Sequence, residues 1–156
     1  MKMLSTAAMI LSMASASTFA DDKIRILHPG NTKSAQGPAS NFTGQVRIDS
    51  LFQADAPAKL GGGFVTFEPG SRTNWHTHPL GQTLIVTQGV GYIQEWNKPA
   101  QLIKTGDIVQ IAPGVKHWHG AAPEIGMTHI ALAEAENGQA ADWLEPVTDE
   151  QYPGNQ

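Results

Sequence analysis

Cysteine is absent from all 156 residues, which excludes a disulfide framework, a lipid anchor on cysteine, thiolate-held zinc and iron–sulfur clusters. Stability has to come from packing, from an ion held by harder donors, or from association. Positive charge is also short: ten Lys and Arg stand against fourteen Asp and Glu, a net −4. The chain therefore has no basic footprint for nucleic acid. Beyond residue 20 no apolar run approaches the ~20 residues that a membrane-spanning helix needs. A helical period is not sustained there either, and no internal repeat, low-complexity block or heptad pattern is present.

What is present begins with a leader. Lys2 supplies a positive start, residues 3–13 an apolar run and residues 14–20 a small-residue approach to a cleavage site, so 1–20 is expected to be a signal peptide cut after Ala20. A bacterial periplasmic destination follows. Residues 21–42 are polar, with Pro29-Gly30 and Gly37-Pro38, and are expected to form an N-terminal arm holding one short candidate strand at 24–27. From 43 to 152 short alternating runs are separated by turn residues: 44–49, 62–68, 75–78, 83–87, 91–96, 101–104, 108–111, 117–120 and 127–134. That spacing predicts a single all-β domain, an antiparallel barrel or sandwich. A hydrophobic content of 40% is enough for one core. Gly89-Val90-Gly91 is expected to bend a hairpin. Thr148-Asp149-Glu150-Gln151 has capping-box spacing, so 141–152 is expected to be a packed tail with a short helix at its end. Arg72 and Lys116 flank the strands and are expected to be solvated, whereas Trp75, Trp118, Phe64 and Phe67 are expected to pack in the core.

The histidines carry the chemistry. His76 and His78 are two apart, so on a strand both imidazoles leave the same face and can share an ion. Gln82 follows Pro79-Leu80-Gly81, a turn that can return its amide toward the pair. His117, after Pro113-Gly114, supplies a third imidazole from another strand. Three imidazoles and an amide oxygen suit a divalent first-row metal, with all four protein ligands neutral, so the ion keeps its full charge and attracts small anions. His119 shares the inward face of His117. His129 alternates inward with Met127, Ala131 and Ala133, whose small side chains leave room for a ligand, as do Gly63 and Val65. Imidazoles with an ordinary pKa near ~6.5 are natural proton acceptors, so His129 and His119 are the catalytic candidates.

Residues 70–89 and 106–117, with Gly70, His76-Thr77-His78, Gln82, Gly89, Gly106-Asp107 and Pro113 to His117, resemble the two motifs of the cupin superfamily. The resemblance implies a jelly-roll barrel and a metal on His76, His78, Gln82 and His117. Gln82 departs from the pattern, since most metal-binding cupins carry Glu there. Longer stretches resemble one branch, the bacterial manganese-dependent hydroxynitrile lyases. They are Phe42-Thr43-Gly44, Leu51-Phe52-Gln53-Ala54, Trp75 to Thr87, Lys116-His117-Trp118-His119-Gly120 and Val147 to Tyr152. That branch implies manganese, with iron, nickel or zinc as alternatives, a small-molecule cyanohydrin such as mandelonitrile as substrate, and a homodimer or homotetramer. It also implies a catalytic histidine at the place of His129, and carries a glutamine where this chain has Ala133.

The expected function is cleavage of a cyanohydrin to an aldehyde and cyanide, with the ion stabilising charge and His129, assisted by His119, accepting the hydroxyl proton. A three-histidine site also suits a metal-dependent dioxygenase, and a non-catalytic module that binds a small ligand or metal is the third alternative.

Overall fold

The computed structural model of the chain describes residues 24–28, 30 and 32–153. The expected leader and its cleavage point lie outside the described residues. Among these residues there are twelve strands: β1 (Ser34–Gln36), β2 (Phe42–Thr43), β3 (Val46–Gln53), β4 (Leu60–Phe67), β5 (Arg72–Thr73), β6 (His76–Thr77), β7 (Gln82–Glu95), β8 (Gln101–Lys104), β9 (Ile108–Ile111), β10 (His117–Ala121), β11 (Met127–Glu134) and β12 (Asp142–Trp143). None of the described residues forms an α-helix. The all-β expectation holds, and all strand pairs are antiparallel.

One layer runs β1-β3-β4-β11-β7-β9, and the other is built from β7, β8 and β10 with β5, β2, β6 and β12. The long strand β7 belongs to both. Its first half pairs with β11 and β9, and its second half with β10 and β8. The sequence had suggested a hairpin at Gly89-Val90-Gly91; instead the strand continues through these residues and crosses from layer to layer. Gly89 takes φ +78° at the crossing, a left-handed angle that a Cβ disfavours. At Gly91 the requirement is space, because an added Cβ would lie 2.2 Å from the Gly120 carbonyl oxygen and 2.5 Å from Met127 Sδ.

Apolar residues alternating inward from both layers make the core, including Phe67, Leu84, Val86, Ile93, Ile103, Ile111 and Met127. Trp75 and Trp118 face away from it, because each is one residue from an inward histidine and the period is two. They are buried all the same, beneath Val147 and Tyr152 of the C-terminal tail. Phe64 is only half-buried.

Four expectations differ from the structure. Residues 24–27 form no strand, whereas Ser34–Gln36 pairs with β3; a free sheet edge recruits backbone whatever the side chains. Arg72 is buried, 6% exposed, because the tail brings it partners. Its guanidinium donates to the Val147 carbonyl at 3.0 Å and to Asp149 at 2.7 Å, and lies 4.7 Å from the Tyr152 ring centroid. Lys116 is also less solvated than expected, since it pairs with Glu145 and lies 3.5 Å over the Trp96 ring. In the tail, Thr148 and Gln151 exchange reciprocal side-chain-to-backbone bonds of 3.0 and 3.3 Å, as a capping box does. Residues 149–151 make a turn there, and residues 141–152 form no helix.

Candidate metal centre and active site

Five imidazoles gather between the layers. His117 sits opposite His76 in the β10–β6 pairing, and their ring centroids are 4.2 Å apart. His78, just past the end of β6, lies 5.1 Å from His76 and 5.7 Å from His117. His119 follows His117 on the same face, with centroid separations of 5.8 Å from His117 and 5.3 Å from His76. His129 comes from β11, 4.9 Å from His119. All five are buried.

Backbone carbonyls set the tautomers. Nδ1 of His76 bonds the Asn74 carbonyl at 3.0 Å, Nδ1 of His78 the Ala140 carbonyl at 2.6 Å and Nδ1 of His117 the Val115 carbonyl at 2.9 Å. A carbonyl only accepts, so each Nδ1 carries the hydrogen and each neutral ring presents a bare lone pair at Nε2. Nε2 of His78 is buried with no partner. Nε2 of His117 stands 3.4 Å from Gln82 Oε1, two acceptors facing one another with no proton between them. Buried lone pairs converging in this way are unfavourable until a cation joins them. The donor set therefore fits a divalent first-row ion.

Burial also keeps the rings uncharged. It lowers His76 well below the usual imidazole value, helped by repulsion from His117 and, more weakly, from His78 and His129. His117 is pushed to about 4 by burial, against the opposing pull of the Val115 carbonyl. His78 is lowered too, again by burial, with the Ala140 carbonyl and Gln82 resisting. Neutral imidazoles are the form that binds a metal, so at neutral pH no proton has to leave first.

His119 and His129 form a separate pair. His119 Nδ1 and His129 Nε2 are 3.2 Å apart, so one ring donates and the other accepts a single shared proton. His119 lies well below the usual value through burial and then repulsion from His129; burial brings His129 to about 4. Phe67 packs against both rings, at 5.9 and 5.5 Å between centroids.

The structure thus places every sequence-derived site residue in one cluster, with one difference in arrangement. Among the described residues, the metal-capable atoms lying within 4.8 Å of one another belong to His76, His117 and His119, where the sequence had grouped His78 with His76 and His117. By ring centroids His78 is as near to His76 and His117 as His119 is, so the difference lies in where the ring nitrogens fall, with His78 Nδ1 drawn to the Ala140 carbonyl. Sequence reasoning missed Trp143, whose ring stacks on His76 at 4.7 Å and 27°, and the carbonyls of Asn74, Val115 and Ala140. Backbone acceptors leave no residue-type signal.

Two openings lead toward the cluster. A cavity of about 470 Å3 is walled by Gly63 and Val65 of β4 and Ala131 and Ala133 of β11, with Ile48 of β3 and Ala140 of the C-terminal segment beside them. A second, of about 530 Å3, runs past Ile93, Ile103, Val109 and Ile111 to His117. Either volume suits a small organic molecule.

Comparison with known proteins agrees with this architecture. Residues 63–125 match the family model described as a cupin domain. An (R)-mandelonitrile lyase from Granulicella tundricola is 57% identical over 83% of this chain and 98% of its own length. A cupin-like protein of solved structure from Thermotoga maritima is 43% identical, with a TM-score of 0.70 over 83% of this chain and 95% of that one. A cupin 2 conserved barrel domain protein from Rhodopseudomonas palustris shares the fold at 18% identity, with a TM-score of 0.61 over 83% and 89% of the two chains.

Proposed function

The chain belongs to the cupin family, and from that premise we propose that it is a metal-dependent, periplasmic lyase that cleaves a cyanohydrin of the mandelonitrile type to an aldehyde and hydrogen cyanide. The observation that carries the reading is the division of the five buried histidines. Three have Nδ1 fixed by carbonyls and Nε2 turned inward; two share a proton with each other. The lyase relative in Granulicella tundricola supports the reaction class.

His76, His78 and His117, with Gln82, would hold the ion, manganese by resemblance. Bound there, it supplies fixed positive charge that lowers the proton affinity of a hydroxyl and stabilises a departing anion. The remaining work falls to the chain. His129, kept unprotonated by burial and hydrogen-bonded to His119, accepts the substrate's hydroxyl proton. The oxygen's electrons then form the carbonyl while the carbon–carbon bonding pair leaves with cyanide. Return of the proton from the histidine pair to cyanide gives hydrogen cyanide, with no change of oxidation state in the protein. Gly63, Val65, Ala131 and Ala133 leave space for the substituent on the carbinol carbon. The apolar core around the rings limits water.

Residues 1–20 support export to the periplasm, through Lys2, the apolar run and the alanine-rich end. Association into a homodimer or homotetramer is supported by a row of apolar residues in register across the outer face of the first layer, Phe64, Ile130, Ile85 and Ile108, of which Ile108 is 66% exposed.

The test is release of benzaldehyde from mandelonitrile by the manganese-reconstituted protein. His129→Ala should keep its metal and lose at least about a hundredfold in turnover, the usual worth of a positioned base. Unchanged turnover at normal metal content would remove His129 from the chemistry, and no turnover in the parent protein would end the lyase reading.

A further inference from the structure

The C-terminal segment takes a larger part in the site than a packed tail would. Ala140 gives its carbonyl to His78 Nδ1 at 2.6 Å. Two residues on, β12 pairs with β6, placing Asp142 opposite Thr77 and Trp143 opposite His76. The Leu144 amide donates to the Trp75 carbonyl at 2.9 Å, and the Trp75 amide to the Glu145 carbonyl at 3.0 Å. Residues 140–145 are thereby bonded along the segment 75–78, which carries both histidines.

Within this segment the Trp143 indole is fixed on three sides. It lies nearly parallel to the His76 imidazole, 4.7 Å between centroids and 27° between planes. Phe42 packs against it at 5.4 Å between centroids and 55° between planes. With the Asn41 amide turned so that its oxygen faces the indole, Trp143 Nε1 donates to it at 3.2 Å. Its side chain is still 38% exposed, so burial is not what this residue chiefly provides. The carbonyl of Asn74 fixes which His76 nitrogen carries the hydrogen, but a single bond along the ring plane leaves the imidazole free to rock about it. A flat aromatic surface against the ring face removes that freedom.

We propose that Trp143 is a positioning residue, whose indole stacks on His76 and holds its Nε2 toward His117, so that the C-terminal segment completes the metal site. The inference rests on the metal reading above. Its effect would be on the affinity and geometry of the site, with no contact to substrate required. Loss of a group that orients a metal ligand typically lowers affinity 10- to 100-fold.

The experiment is titration of the metal-free mature protein with cobalt(II), following the visible absorption of the bound ion, for the parent, Trp143→Ala, Trp143→Phe and Trp96→Ala. Trp96 is an equally exposed indole, also 38%, that packs on Trp75 instead of a histidine. Trp143→Ala should weaken binding about tenfold or more and change the absorption band. Trp143→Phe should recover most of that loss, and Trp96→Ala should match the parent. In the metal-free parent the His76 ring protons should be shifted upfield by the facing indole, a shift that Trp143→Ala removes. Binding by Trp143→Ala within twofold of the parent would overturn the proposal, as would equal losses in the Phe and Ala variants or in the two tryptophan-to-alanine variants. A parent that takes up no cobalt, manganese, iron, nickel or zinc would instead overturn the metal reading and the proposal with it.

Discussion

Acidification should unfold the metal-free protein well before its carboxylates titrate. His117 and His129 are pushed by burial to about 4, against about 6.5 in an unfolded chain. The folded chain therefore binds these protons less readily than the unfolded one, so their contribution is complete above about pH 6.5 and is lost as pH falls toward 4. Between pH 7 and pH 5 each group costs about 2 kcal/mol at about 1.4 kcal/mol per pH unit, and the two together about 4 kcal/mol. His76, His78 and His119 are lowered in the same direction, so the true loss is at least this large. Set against the 5–15 kcal/mol of a typical domain, it brings the folded state close to its limit. The assay is urea unfolding of chelator-treated protein at the two pH values, with His129→Leu alongside. The variant should lose about 2 kcal/mol less than the parent over that interval, because one buried proton acceptor is gone. A parent whose stability changes by less than about 1 kcal/mol would refute the argument that neutral imidazoles are packed away from water.

Other expectations follow from packing. Gly91→Ala would drive a Cβ into the Gly120 carbonyl at 2.2 Å, a backbone atom that cannot swing aside, so a loss of about 3 kcal/mol or more is expected on urea unfolding. A loss below about 1 kcal/mol would mean that the β7 crossing is not as tight as described. Tyr152→Phe removes a 2.7 Å bond to the Ala121 carbonyl beneath the tail and should cost about 1 to 2 kcal/mol at pH 7; no change in thermal midpoint would show that the tail is not latched there.

The histidine pattern was legible because the strand period of two coincides with it. Residues two apart on a strand share a face, so His76 with His78 and His117 with His119 could be grouped before any coordinates. The boundaries of β8, β9 and β11 agree with the alternating runs. What escaped the sequence depends on partners distant along the chain. Arg72 looks like a surface cation until the Val147 carbonyl and Asp149, over seventy residues later, arrive to bond it. The Gly89-Val90-Gly91 run has the composition of a turn, yet β11, β8 and β10 pair through it and hold it extended. Trp143 has no motif at all, and its place on His76 follows from β12 docking on β6.

Metal content measures directly whether the five histidines divide into ligands and a proton-carrying pair. Mature protein purified without a chelating tag, incubated with manganese and freed of unbound ion, is analysed for metal per chain as the parent, His78→Ala and His119→Ala. Close to one equivalent is expected in the parent and in His119→Ala, and less than about a tenth in His78→Ala. A parent below about a tenth of an equivalent of any transition metal, or a His119→Ala protein that loses the ion while His78→Ala keeps it, would contradict that division.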